Sequence, residues 1–146
     1  MSESVLILAA HPDDECFMGG TIARMVEAGH TVHVAVNTDG VSARVPTPDP
    51  EARARREWEF SEACRVLGAR SAKVAVDSFP DNGMDTVPLL ALVRSMEHLL
   101  REFHPTTIYT HHPGDLNIDH QLIARSVVTA ARPYPGQVVQ RIYGFE

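Results

Sequence analysis

Residues 11 to 15 read HPDDE, a histidine and three consecutive acids set directly after the apolar run Val5 to Ala10. Neighbouring carboxylates raise one another's pKa and repel, so a fold that gathers three of them needs a compensating charge. The first turn of a helix supplies part of it, through unpaired backbone N–H groups and the positive end of the helix dipole. That leaves the histidine unexplained. His11 and Asp14, three residues apart on a tight turn, can aim a ring nitrogen and a carboxylate oxygen at one point. A divalent cation at that point removes the repulsion. A third ligand is available where the segment DLNIDH, residues 115 to 120, ends in His120. Two histidines and one carboxylate leave a coordination position for water, the layout of a catalytic zinc rather than a structural one. Hydrolysis is the reaction class this suggests.

A hydrolytic metal needs a base beside it that is not itself a ligand. Asp13, adjacent to Asp14, can point into the site. Asp119, next to His120, is expected to orient that ring or another group of the site. Glu15 either plays a similar part or caps the helix. Of the successive residues His111 and His112, only one can face the site from a strand end, and His112 is favoured over His111. His30, His33, His98 and His104 show no partner pattern and read as structural.

The elements that must position these groups can be read from hydrophobic periodicity. The run VLILAA, 5 to 10, is continuous enough for a strand buried on both faces. A helix over 14 to 29 ends at Gly29, and TVHVAVN, 31 to 37, is a second strand. The proline-rich stretch 41 to 50 reads as a loop. A second helix has Asp49 as N-cap, Pro50 in its first position and Gly68 at its end. A third strand covers 71 to 78, and FPDNGMDT is a turn-rich loop whose Asp85 and Thr86 can cap a helix over 87 to 104. That helix has one apolar face, formed by Leu89, Leu92, Val93, Met96, Leu99, Leu100 and Phe103. Strands at 106 to 110 and 137 to 145 flank a last helix over 120 to 132. Strands alternating with helices imply an α/β sandwich of three layers, with a mostly parallel five-stranded sheet between helices. In strand order 3-2-1-4-5 the crevice where order reverses lies between strands one and four, which HPDDE and HHPGDLNIDH follow.

Composition narrows the classes of partner. The chain has 146 residues, 44% hydrophobic and 22% charged, enough for one core. Its net charge of −6 argues against nucleic acid and for a small molecule of weak charge. Cys16 and Cys64 lie far apart with no CxxC, so neither a disulfide framework nor a structural zinc knot is expected, and a cytoplasmic location is the default. The segment SVLILAA is too short to span a bilayer and lacks a basic leader. Gly19 and Gly20 form no GxGxxG, so no nucleotide cofactor is indicated. Homo-oligomer formation stays open.

AHPDDE after a first buried strand, a loop ending in DH before a late helix, and RREWEFSEACRVLG with Arg56, Glu59, Ala63, Leu67 and Gly68 resemble the PIG-L/LmbE-like family of zinc-dependent N-deacetylases. The resemblance implies a Rossmann-like fold and the removal of an acetyl group from an N-acetylglucosamine-type sugar or its conjugate. It implies His11, Asp14 and His120 as metal ligands and Asp13 as general base, with Zn²⁺ or Fe²⁺ as the ion. Many members have a histidine three residues before the last ligand, thought to stabilise the oxyanion, where this chain has Asn117. The electrophilic role then passes to His111, to His112 or to the metal alone. By similarity Arg56 could contact a substrate hydroxyl or phosphate, against the favoured reading of RARR, 53 to 56, as a solvated face paired with Glu51, Glu57 and Glu59. Asp81 and Asp85 could bind sugar hydroxyls at the rim, against a turn-and-cap role. Family members continue well beyond a fifth strand, so the chain reads as one domain over 1 to 146, and whether it lacks a C-terminal part stays open. Two other readings compete: a catalytically silent metal- or sugar-binding domain, and a metal-dependent phosphoesterase, for which the carboxylates are too few.

Overall fold

In the computed structural model, which describes residues 2 to 43 and 49 to 146, the apolar N-terminal run becomes the middle strand of the sheet. Strand β1 (Ser4–Ala9) lies between β2 (Thr31–Thr38) and β4 (Thr107–His111); β3 (Ser71–Phe79) and β5 (Arg141–Phe145) close the two edges. The order is β3-β2-β1-β4-β5 and every pairing is parallel, as expected. Burial on both faces accounts for the unbroken apolar run in β1. Leu6, Leu8 and Ala10 pack with α3 (Leu89–Phe103) and α4 (Ile118–Ala130), against Leu92, Met96, Ile123 and Val127. Val5, Ile7 and Ala9 pack on the opposite face with α1 (Glu15–Glu27) and α2 (Pro50–Val66), against Met18, Ile22, Phe60 and Cys64. These are the three layers. Among the described residues no helix is long and apolar enough to cross a membrane.

Helix ends follow local chemistry. Gly29 and Gly68 take positive φ where α1 and α2 stop, and Asp49 accepts a hydrogen bond from the Glu51 amide with Pro50 opening α2. Of the expected loop 41 to 50, residues 44 to 48 lie outside the described residues. The expected cap of α3 is corrected: Thr86 Oγ1 donates to Gly83 O within a 3₁₀ turn (Met84–Thr86), Asp85 makes no capping bond, and the helix begins only at Leu89. Pro88 holds Val87 in extended backbone, which a helix starting at 87 would have to abandon. The fifth strand is also shorter than expected. Gln137 Oε1 accepts from the amides of Val138 and Val139, turning 137 to 139 away from the ladder, whose pairing starts at Arg141.

Order reversal at β1 brings its carboxyl end beside that of β4: Leu8 pairs with Thr110, one residue short of His111. The turn 11 to 14 and the segment 112 to 117 therefore leave the sheet side by side.

Candidate functional site

Asp14 closes the turn on itself. Its Oδ2 accepts from the amides of His11 (2.7 Å) and Ala10 (3.1 Å), which fixes the carboxylate beneath the His11 ring. His120 arrives from the first turn of α4. Asn117 Oδ1 accepts from the amides of Asp119 (2.8 Å) and His120 (3.4 Å), starting the helix two residues before the expected position. The result is a cluster in which His11 Nδ1 lies 3.2 Å from His120 Nε2, and His120 Nε2 lies 3.5 Å from Asp14 Oδ1. One donor atom from each of His11, Asp14 and His120 falls within 4.8 Å of the others. Four ligands at about 2.0–2.1 Å around a tetrahedral ion stand about 3.3–3.4 Å apart, so the donor set suits a small divalent cation in chemistry and spacing.

Each imidazole has its second nitrogen on a carboxylate. His11 Nε2 lies 3.1 Å from Asp119 Oδ2 and 3.3 Å from Asp81 Oδ1; His120 Nδ1 lies 2.8 Å from Asp115 Oδ2. Such partners fix ring orientation and tautomer. Asp119 is fully buried and also accepts from the amides of Asn82 (2.7 Å) and Met84 (3.0 Å), binding the loop after β3 to α4. Expected to serve His120 or another site group, Asp119 serves His11. Asp115 was missed from sequence, because nothing in its spacing marks it. Its only local signal is the Asx turn in which Oδ1 accepts from the Asn117 amide.

Electrostatics favour positive charge at the two rings. Burial opposes protonation of His11, but hydrogen bonds to Asp119 and Asp14, with Asp81 nearby, outweigh it and lift the pKa to about 10. Burial likewise opposes the charge on His120, and its bonds to Asp14 and Asp115 raise its pKa. Asp14 is held well below the usual carboxylate range; burial would raise it, and the bonds from His11, His111 and His120 overcome that. Desolvation pushes Asp81 and Glu15 up. In metal-free protein the raised His11 value adds stability that is fully present below an imidazole's ordinary 6.5 and is lost as pH rises through about 10. Chemical denaturation should therefore show a falling midpoint across that window, and a rise or a flat profile would contradict the pairing of His11 with Asp119.

The remaining candidates separate. Asp13 is exposed and makes no hydrogen bond to the cluster among the described residues; Arg56 Nη2 stands 3.9 Å from its Oδ2. Both line a polar cleft of about 190 Å³ with His11, Asp81, Asn82 and Asn117. Asp85 is exposed on the 3₁₀ turn and outside that cleft. Glu15 is buried in the first turn of α1, with Oε2 unpartnered among the described residues.

The preference for His112 over His111 is reversed. Strand β4 runs one residue further than expected, so His111 turns inward and is buried, while His112 is half exposed and its Nδ1 accepts from the Gly114 amide. His111 Nε2 lies 2.9 Å from the Ala10 amide nitrogen and 3.1 Å from Asp14 Oδ2, and its ring stacks on that of His120 at 3.7 Å between centroids and 8° between planes. Desolvation lowers its pKa. Asn117 is a helix cap whose Nδ2 donates to Asn82 Oδ1 (3.0 Å), an engagement that leaves it unlike a free oxyanion donor. Asn117→Ala should cost about 1 kcal/mol through the lost cap, measurable in urea unfolding; no loss would mean the cap does not hold the start of α4.

The model of the PIG-L family, described as GlcNAc-PI de-N-acetylase, matches residues 6–131. The chain is 28% identical over 142 residues to a probable N-acetyl-alpha-D-glucosaminyl L-malate deacetylase 2 of Bacillus cereus, covering 92% of this chain and 64% of that protein. It superposes on the conserved protein TT1542 of Thermus thermophilus with a TM-score of 0.76 and 26% identity, over 98% of this chain and 66% of the other. The 4-carboxy-2-hydroxymuconate hydratase GalB of Pseudomonas putida gives a TM-score of 0.74 and 27% identity, over 99% of this chain and 65% of the hydratase. The chain thus spans just under two-thirds of the length of each of these relatives.

Proposed function

Since the chain belongs to the PIG-L family of GlcNAc-PI de-N-acetylases, we propose that it hydrolyses the N-acetyl group of an N-acetylglucosamine-type sugar or conjugate with a bound divalent cation. The observation that carries this reading is the convergence of His11, Asp14 and His120 from two loops more than a hundred residues apart in sequence. His11 Nδ1, Asp14 Oδ1 and His120 Nε2 would hold the ion, Zn²⁺ or Fe²⁺. Bound there, it would polarise the amide carbonyl and lower the pKa of a water molecule.

Asp13 takes the proton from that water at a carboxylate oxygen, facing the polar cleft from the turn before α1. The water oxygen adds to the carbonyl carbon and the C–N bond breaks. The departing nitrogen needs a proton, and Asp13 returns the one it took; acetic acid and amine result, which ionise to acetate and ammonium. His111 Nε2 is engaged between the Ala10 amide (2.9 Å) and Asp14 Oδ2 (3.1 Å), and His112 is half exposed beside Glu146 (3.4 Å), so the proton is assigned to Asp13. Arg56, Asp81 and Asn82 offer charge and hydrogen bonds to sugar hydroxyls around the same cleft. Asp119 and Asp115 keep the two imidazoles in register.

Zinc-loaded protein incubated with N-acetylglucosamine and its glycosides should release amine and acetate in equal amounts, and a chelator should stop it. Bound metal with no amine from a broad panel would favour the silent binding domain. Addition of water to a muconate-type diene, with amides untouched, would favour the chemistry named for the hydratase relative.

A further inference from the structure

Asp13 and Asp81 enter the polar cleft from different loops, one after β1 and one after β3. The strand that lies between those two in the sheet, β2, ends in a short turn, residues 39 to 42, that touches both loops. Asp39 folds this turn with one oxygen: its Oδ1 accepts from the amides of Val41 (3.0 Å) and Ser42 (3.0 Å) and from the Ser42 hydroxyl (2.9 Å). A hydroxyl has one proton, so with that proton on Asp39 the Ser42 Oγ offers only lone pairs. It accepts from the Asp81 amide at 2.9 Å, while the Asp39 amide donates to Phe79 O at 3.3 Å. On its other side the turn meets HPDDE. Gly40 has a φ of +66°, and a Cβ there would stand 2.7 Å from Pro12 Cδ, 2.9 Å from Pro12 Cγ and 3.2 Å from Arg56 Cγ. A proline ring, closed onto its own backbone nitrogen, cannot swing aside to make room.

Resting on the function proposed above, we infer that the turn 39 to 42 is the positioning element of the polar cleft. Ser42 holds Asp81 in place for the sugar, and Gly40 lets Pro12 seat against the turn, which sets the direction of Asp13. The Asp13 side chain makes no hydrogen bond among the described residues, so its aim comes from the backbone, and Pro12 is its immediate neighbour. Displacement of a reacting group by about 1 Å can cost about 10²-fold in rate. Gly40 and Ser42 make no hydrogen bond to His11, Asp14 or His120 among the described residues, so the turn acts on the two acids and leaves the ligand set in place.

Substitutions at the two ends of the turn should give different defects in zinc-loaded protein acting on N-acetylglucosamine. Ser42→Ala should raise KM about two- to tenfold, the worth of one hydrogen bond, with little change in kcat, and Ser42→Thr, which keeps the hydroxyl, should restore KM. Gly40→Ala should lower kcat at least about tenfold. In protein already carrying Pro12→Ala, which removes the ring atoms that meet the new Cβ, the same change should cost less than about threefold. Zinc affinity should stay within about threefold throughout, because Asp119 still orients His11. Amide hydrogen exchange on metal-free protein needs no turnover: the Asp81 amide should exchange at least about tenfold faster in Ser42→Ala than in wild type or Ser42→Thr. Unchanged exchange at Asp81 would mean that Ser42 does not hold it, and faster exchange with unchanged KM would leave the bond without effect on the substrate; either result overturns the assignment. So would an equal loss of kcat from Gly40→Ala in both backgrounds, or a fall in zinc affinity that matches the fall in rate. If wild-type protein releases no amine from N-acetylglucosamine, the hydrolytic reading fails, and the affinity of the same Ser42 variants for that sugar, by calorimetry, decides the turn.

Discussion

Asp13→Asn is expected to lower the rate of amine release by about 10²–10⁴-fold, the usual worth of a general base, while bound metal stays at the wild-type level. The argument is geometric. Asp13 is exposed, touches none of His11, Asp14 and His120 through a hydrogen bond among the described residues, and stands 3.9 Å from Arg56 at its nearest ion pair. An amide of the same shape therefore leaves the cluster undisturbed and removes only the capacity to accept a proton. Steady-state kinetics and metal content, measured on the same preparation, check both halves. A variant keeping more than a tenth of the rate would take Asp13 out of the mechanism, and one that lost its metal would make Asp13 a ligand.

His120→Ala is expected to weaken metal binding by well over 100-fold. The bound is set by what lies behind the ring: loss of an outer partner such as Asp115 typically costs about 10–100-fold in affinity, and loss of the ligand itself must exceed that. The fold should survive, because the ring lies beside the cluster and outside both core packing groups, and the cap at Asn117 still starts α4. Competition with a chelator of known affinity gives the number, and circular dichroism shows whether the helix remains. Affinity within tenfold of wild type would mean that the ion sits elsewhere, for instance between His11 Nε2, Asp81 and Asp119, which also approach one another.

Much of this is legible in the amino-acid sequence. An unbroken apolar run must be buried on both faces, and alternation of strands and helices implied a parallel sheet; the order β3-β2-β1-β4-β5, one the alternation allows, is the order the structure has. That order alone carries His11, Asp14 and His120 to one end of the sheet. What stayed hidden depended on single residues. Pro88 delays α3 and frees Asp85 and Thr86 from capping it. One further residue in β4 reverses which of His111 and His112 points inward, since side chains alternate along a strand. Asp115 reaches His120 only through the path of a loop, and Asp119 is tied to the distant amides of Asn82 and Met84; neither contact has a periodic signature. Asn117 occupies a position where similarity implied electrophilic work, and its side chain is spent on a helix N-terminus.

The most direct measurement is X-ray absorption at the zinc edge of the loaded protein, before and after His120→Ala. Coordination by His11, Asp14 and His120 predicts light-atom ligands with the outer-shell scattering of two imidazoles, reduced to one or lost with the metal in the variant. Sulfur ligation, or a two-imidazole spectrum that the substitution leaves unchanged, would contradict it.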